Sequence, residues 1–435
     1  MTNAHKPIPS LRWWIAGLLF ASTVINYIDR QTLSLLAPYL QLEYHWTNTD
    51  YANLAIAFRV SYTIGQSVFG RLMDRIGTRR GLTGTVIFYS IVSMLTSAAR
   101  GFTSFATLRF LLGAGESANW PAATKAVSEW FPERERALAT AVFDSGSSIG
   151  AAVAPFLVFW IYLRWGWRPA FAVPGVFGFL WLIAWRWLYY PPEQHPRVGT
   201  AEREIIAAER ELIPESPATQ IRPRWRDLLK IPQTWGAIVA KTFTDPVFFF
   251  FTEWFSIYLR RKGIEPKSNL IAFWIPFIAA DVGSLVAGWF SGYLIRRGVS
   301  LGWARKVPMV YGGIGMTVLI LTIFTTNLHL IAFLFAVVTF TYAGFTIMAN
   351  TLPSDLFESG SVASVSGLAG TGTGLGTIVA FKLVGYVSDA RQATGTHAFD
   401  SIVIALGIIP FVGMILALLL LRNNQATDQG LVRRL

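Results

Sequence analysis

Long apolar runs separated by short polar hairpins dominate this chain. No charged residue occurs from Trp13 to Ile28, Leu82 to Ala99, Val307 to Leu328, Leu330 to Ser354, or Ser401 to Leu421. A helix needs about 20 apolar residues to cross a hydrocarbon layer, and each run approaches or passes that length. Seven further segments of suitable length carry one to three charges: 30–58, 103–126, 136–160, 168–190, 233–259, 268–295 and 361–388. The first of these is shared between an opening helix running to Pro38 and a second span from Tyr51 to Gly70. The pattern predicts an all-α integral membrane protein of twelve transmembrane helices. Its longest polar stretch, Pro191 to Pro232, divides them into two six-helix bundles over 11–190 and 233–422, joined by a central loop at 191–232. Within that loop, Ala201 to Leu212 predicts a short surface helix.

Composition agrees. Hydrophobic residues make up 53% of the chain, charged residues only 14%, and mean hydropathy is +0.44. A soluble fold of 435 residues has about 25% charged residues with which to build its exterior. The absence of cysteine excludes disulfide frameworks, thiol nucleophiles and thiolate metal sites. The formal charge of +12 would suggest nucleic acid in a soluble protein, but membrane helices collect basic residues at their cytoplasmic ends. A cytoplasmic N-terminus puts 22 Lys and Arg inside and 8 outside, so both termini and the central loop are expected in the cytoplasm. The cluster at 260–267 runs against this bias. The first span has no small-residue cleavage pattern and is read as a helix rather than a signal peptide.

Glycines hint at duplication. Gly65 and Gly70 have counterparts 218 positions later in Gly283 and Gly288, and Gly146 and Gly150 have counterparts 226 positions later in Gly372 and Gly376. Small residues at helical spacing allow close contact between helices in lipid. Near-equal offsets in corresponding spans fit two parallel repeats, a transporter architecture in which substrate is held near mid-membrane.

Charges inside spans cost about 2.5–3.5 kcal/mol on insertion scales, so each requires a reason. Asp29 and Arg30 are neighbours in the first span, while Arg109 and Glu116 lie two turns apart on the fourth. Glu116 either reaches Arg109 or meets a cation on another helix. Tyr62 lies on the second span. Lys241 and Asp245 form an i,i+4 pair on the seventh and Asp281 lies on the eighth; these three make a candidate second-half polar site, with structural ion pairing as the alternative. An arginine can receive a substrate carboxylate, and protonation of a neighbouring acid removes its competition for that arginine. This is a device for coupling protons to an anion.

The run Gly70–Arg80, G-R-L-M-D-R-I-G-T-R-R, closely resembles the cytoplasmic signature of the major facilitator superfamily. Its members here would be Gly70, Asp74, Arg75, Gly77, Arg79 and Arg80: the acid pairs or caps, the glycine turns, and the arginines hold the hairpin inside. The second half keeps only Gly288–Gly298, with Gly292 where an acid is expected, which leaves a gating role for charge in doubt there. N-Y-I-D-R at Asn26–Arg30, Arg109–Ala123 and W-F-P-E-R-E-R-A at Trp130–Ala137 resemble the anion:cation symporter branch. Ala240–Val247 resembles its bacterial hexuronate carriers.

The resemblance implies proton-coupled uptake of a sugar acid, a hexuronate, across the bacterial inner membrane by alternating access. It implies Asp29 and Glu116 as protonatable groups, and Arg30, Arg109 and Tyr62 around the substrate; Glu116 is favoured for coupling because it lies deeper in its helix than Asp29. Ser147 and Ser148 stand in the substrate-facing region of the fifth span. They lack the amide of galactonate carriers, and Gly367–Gly376 lacks their asparagine, which tilts the expectation toward hexuronate. Galactonate, glucarate, tartrate and aromatic carboxylates are the alternatives. The expected partners are a small organic anion and the lipid bilayer, with no nucleic acid, no metal, no cofactor beyond the coupling proton, and a functional monomer. A membrane enzyme is the rival class, but the five histidines fall in tails, loops or span edges and no hydrolase or metalloprotease motif occurs.

Overall fold

The computed structural model describes residues 7–211, 223–264, 271–390 and 399–421, and its regular elements are all helical. The first seven are α1 (Leu11–Tyr44), α2 (Asn48–Ile76), α3 (Thr78–Thr96), α4 (Phe102–Glu116), α5 (Asn119–Trp130), α6 (Glu133–Trp165) and α7 (Trp167–Leu188). The surface helix α8 (Thr200–Glu211) and the single turn α9 (Trp225–Leu228) follow. The rest are α10 (Pro232–Arg261), α11 (Ile271–Arg296), α12 (Leu301–Met316), α13 (Leu328–Leu356), α14 (Val362–Ala390) and α15 (Asp400–Leu420). Met1 and Leu435, the termini expected in the cytoplasm, lie outside the described residues.

Among the described residues, eight helices are long and apolar enough to cross a membrane: α1, α6, α7, α11, α12 with its 3-10 continuation Thr317–Phe324, α13, α14 and α15. Phe156, Leu163 and Phe324 are 77%, 80% and 81% exposed, an apolar exterior suited to lipid. The protein is an all-helical, multi-pass membrane protein. α4 and α5, of 15 and 12 residues, are each too short to cross alone, while α2 and α10 carry polar groups discussed below, which dilute their apolar character.

The opening helix does not stop at Pro38; α1 continues to Tyr44. A proline removes one intrahelical bond, and packing outweighs that loss here. Leu33, Leu36 and Leu40 are buried in a cluster with Phe105, Trp167 and Phe171, which carries the helix through the proline. The N-terminus of α1 has no side-chain cap of its own, because Ser10 is left-handed at φ 51°. Glu202 of α8 supplies the cap. Its carboxylate accepts from Leu11 N at 2.9 Å and Arg12 N at 3.1 Å, and pairs with Arg12 Nη1 at 2.8 Å. A carboxylate at a helix N-terminus meets both the free N–H groups and the positive end of the helix dipole.

The chain packs as two compact units. Unit 1 comprises Met1–Pro132, Val142–Pro223 and Phe357–Gly367; unit 2 comprises Glu133–Ala141, Arg224–Leu356 and Leu368–Leu435. Within unit 1, α2 packs on α4, and both α3 and α1 pack on α7. Within unit 2, α11 packs on α13, and both α12 and α10 pack on α15. These are the same pairings at equivalent places in the chain, and the glycines sit in them. A Cβ on Gly65 of α2 would press on Ser117 at the end of α4, and one on Gly283 of α11 would press on Phe340 of α13. Gly146 of α6 similarly faces Phe20 of α1, while Gly372 of α14 faces Thr242 of α10.

Candidate functional site

The first polar cluster lies in unit 1, where α4 breaks. Pro121 has no N–H to offer the Ser117 carbonyl, and the helix resumes as α5 only at Asn119. Glu116 is the last residue of α4 and is fully buried at this break. Its partner comes from another helix: Arg30 Nε of α1 donates to Glu116 Oε2 at 2.6 Å. The Arg30 guanidinium stands 4.4 Å from the Tyr62 ring centre, 5.0 Å from that of Tyr27 and 5.4 Å from that of Phe58. Aromatic faces favour a cation without neutralising it. Arg109 is buried and donates through Nη2 to the Arg30 backbone carbonyl at 3.3 Å. Arg109 Nε and Glu116 Oε1 are buried without a hydrogen-bond partner.

Asp29 and Arg30 serve different neighbours, because successive helical residues point about 100° apart. Asp29 is buried against α3, where Ser93 Oγ lies 3.0 Å from its Oδ1 and 2.9 Å from the Phe171 carbonyl of α7. A hydroxyl has one proton for these two acceptors. A protonated Asp29 completes the chain by donating to Ser93, which donates on to Phe171. Asp29, Glu116, Arg30 and Arg109 balance when both acids are ionised, and one added proton leaves a net charge of +1. Ser147 of α6 is within hydrogen-bonding reach of Tyr27, and Ser148 is half-buried beside it.

A second cluster lies in unit 2. Lys241 Nζ of α10 meets Asp245 Oδ2 at 3.3 Å and donates to Asn350 Oδ1 of α13 at 2.9 Å. Asp245 also accepts from Tyr342 of α13 at 2.9 Å and Thr373 of α14 at 2.8 Å. Asp281 is half-buried on α11, with its backbone carbonyl accepting from Ser284 at 2.9 Å.

The hairpin motif is built around Asp74. Its carboxylate pairs with Lys125 of α5 at 2.9 Å and caps the start of α14, accepting from Ser364 N at 2.7 Å and Ala363 N at 3.3 Å. Gly70 lets α2 approach Ala363, and Gly77 turns the chain at φ 82°. Arg79 stacks 3.6 Å from the Tyr190 ring centre and donates to the Arg186 carbonyl at 2.8 Å, while Arg75 and Arg80 are exposed. In unit 2, where Gly292 stands at the place of an acid, α13 carries a buried acid of its own. Asp355 accepts from Arg305 Nε at 2.7 Å and Arg136 Nη1 at 3.2 Å, and all three are buried.

His195 and Lys262, both outside the spans, have shifted proton affinity. Burial pushes His195 below the ordinary histidine value; its Nε2 bonds the Leu188 carbonyl at 3.0 Å and its Nδ1 accepts from Arg197 N at 3.0 Å. Burial also lowers Lys262, whose Nζ donates to the carbonyls of Thr322, Ile323 and Thr325 at 2.7, 2.8 and 3.0 Å. That cap on the 3-10 segment gives one basic residue of the 260–267 cluster a structural reason to stand against the charge bias.

The pairings of Lys125 with Asp74 and of Asp355 with Arg305 and Arg136 were not read from the sequence, because they join separate helices 50 or more positions apart. Ser93, Asn350, Tyr342 and Thr373 carry no charge to mark them. Among the described residues, no group of three or more His, Asp or Glu side chains is arranged to hold a metal ion.

Comparison with known proteins places this geometry. The hexuronate transporter of Escherichia coli (strain K12) is 28% identical over 425 residues, covering 97% of each chain. The galacturonate transporter of Dickeya chrysanthemi is 31% identical over 314 residues, 71% of this chain and 90% of its own. The probable galactarate/D-glucarate transporter of Escherichia coli (strain K12) is 30% identical over 427 residues, 93% of each. The fold is similar to that of the proton:xylose symporter bound to 6-bromo-6-deoxy-D-glucose, with a TM-score of 0.72 over 93% of this chain and 95% of that one, at 14% identity. The sequence profile of the Major Facilitator Superfamily matches residues 19–381, and with its helical fold and paired units the chain belongs to that superfamily.

Proposed function

We propose that this protein is a twelve-helix, proton-coupled carrier that takes up a sugar-acid anion, a hexuronate, by alternating access, with both termini in the cytoplasm. The observation that carries the reading is the pairing of half-buried Arg30 with fully buried Glu116, beside Arg109 and Asp29. A carboxylate substrate competes with Glu116 for Arg30, and a proton taken by Glu116 or Asp29 leaves the single positive charge that balances one carboxylate. The two acids titrate as one network, so the coupling proton belongs to the set rather than to a chosen residue. Tyr62, Tyr27 and Phe58 hold Arg30 in place, Ser147 joins through Tyr27, and Ser148 is its neighbour on α6. Relatives named for hexuronate, galacturonate and galactarate/D-glucarate transport support the substrate class.

The test pairs two assays in the same reconstituted vesicles: hexuronate accumulation driven by a pH gradient, and exchange between equal pools. Glu116→Gln imitates the protonated acid. It should lose accumulation and keep exchange. A variant that still accumulates hexuronate uphill removes Glu116 from coupling, and a wild type that accumulates no sugar acid overturns the substrate reading.

A further inference from the structure

The cluster on α10 has hydrogen-bond donors left over. Lys241 Nζ carries three N–H bonds and no acceptor site, and two of them are directed at Asn350 Oδ1, 2.9 Å away, and Asp245 Oδ2, 3.3 Å away. Because an ammonium only donates, the Asn350 amide must turn its oxygen toward it, which fixes where the amide NH2 points. That NH2 has no partner, although Asn350 is only 8% exposed. An unmet amide donor inside a native fold is rare and calls for an explanation.

Asp245 is in the opposite condition. Lys241, Tyr342 and Thr373 all direct donors at its carboxylate, and its side chain is 4% exposed. The lysine charge is therefore cancelled one helical turn away. The cluster is neutral, and its spare capacity consists of N–H groups from Asn350 and Lys241. A neutral set of donors suits an uncharged oxygen. A carboxylate brought to the same place would gain those donors but would meet the charge of Asp245 in a medium that screens it poorly.

We propose that Lys241 and Asn350 form a subsite within unit 2 for a hydroxyl or ring oxygen of the transported acid, and that Asp245 excludes a second carboxylate from it. The inference rests on the sugar-acid reading and sharpens it: the substrate is a polyhydroxy monocarboxylate, and a dicarboxylate of the same carbon count is rejected.

Full-length protein in nanodiscs, titrated with a hexuronate, the matching six-carbon dicarboxylate and cyclohexanecarboxylate, tests this. Wild type should bind the hexuronate at least tenfold more tightly than the dicarboxylate. Asn350→Leu should lose about tenfold in hexuronate affinity, the value of one good hydrogen bond, while its response to cyclohexanecarboxylate stays that of wild type. Asp245→Asn keeps shape and acceptor oxygen but frees the lysine charge, and should raise dicarboxylate affinity about tenfold. Unchanged hexuronate binding in Asn350→Leu overturns the subsite while leaving the substrate class standing. A wild type that binds both acids equally overturns the exclusion, whether or not Asp245→Asn folds. A wild type that binds no sugar acid overturns the underlying function instead.

Discussion

Replacing Gly283 with alanine measures how tightly the seam between α11 and α13 is closed. The added Cβ would stand 2.8 Å from Phe340 Cα and 2.9 Å from its carbonyl carbon, and closer still to the carbonyl oxygen. All three are backbone atoms, so no rotamer change relieves the clash. Ordinary contact requires the helices to part by about 0.5–1 Å, which forfeits a quarter to a half of each displaced dispersion contact. In lipid no hydrophobic driving force between helices compensates. Overpacking of this kind costs about 1–3 kcal/mol, and a clash confined to backbone atoms belongs in the upper part, about 2–3 kcal/mol; less the gain of about 1 kcal/mol in helix propensity, the net loss is about 1–2 kcal/mol. Gly65, the counterpart in α2, would press on the Ser117 side chain, whose hydroxyl can rotate although its Cβ stands 2.9 Å away, and would meet the Ala114 carbonyl oxygen at an ordinary 3.4 Å. Gly17 has nothing within 4 Å, so alanine there should be neutral or stabilising. Thermal unfolding in one detergent, followed by tryptophan fluorescence, reads the series at about 2–4 °C per kcal/mol for bodies of 150–250 residues. Gly17→Ala should melt at or above wild type, Gly65→Ala slightly below it, and Gly283→Ala lowest, by about 2–8 °C. A Gly283→Ala protein as stable as wild type would show that the seam is looser than these distances.

Asp355→Asn should be among the most destabilising single changes. It leaves Arg305 and Arg136 buried around a neutral amide, at a cost of about 3–5 kcal/mol, and a melting temperature equal to wild type would contradict the ion triad. Arg30→Lys and Arg109→Lys keep charge but lose the planar multi-donor fork, so hexuronate transport should fall at least tenfold in each; near-normal uptake in both would remove them from the site. His195 gives a pH dependence of stability. Its folded value lies below the unfolded value of about 6.5, so the neutral ring contributes fully above that pH, and the contribution disappears as pH falls through the folded value. Melting temperature should therefore drop more steeply between pH 7.5 and 5 in wild type than in His195→Gln, and parallel slopes would refute the assignment. In intact cells, an impermeant thiol reagent should label Asn48→Cys and spare Ala208→Cys; equal labelling would invert the proposed orientation.

Much of the candidate site was legible as misplaced charge. Asp29, Arg30, Arg109, Glu116, Lys241 and Asp245 stand out because water-exposed positions are scarce in such a chain, and a charge far from water must have a partner. Which partner was not legible. Arg109 and Glu116 share a helix, yet the short contact to Glu116 comes from Arg30 of α1, 86 positions away in the chain. Asp29 and Arg30 are adjacent, yet one turns to α3 and the other to α4. Gly292 left the second hairpin without its acid, and nothing in the sequence pointed to the buried Asp355 of α13 that pairs with Arg305 and Arg136.

The sequence by itself determined what is additive along the chain: apolar length sets which segments can enter lipid, basic loops bias their orientation, and glycine spacing marks the faces that must approach. These are local terms, since a helix in hydrocarbon satisfies its backbone within itself and needs no partner to exist. Only the tertiary structure decided which side chains meet. Hydroxyls and amides such as Ser93, Thr373 and Asn350 carry no charge and are common where membrane helices pack together, so the sequence does not mark which of them meets a partner. They acquire a role only where packing of separate helices aims them at a carboxylate, or leaves one of them without a partner.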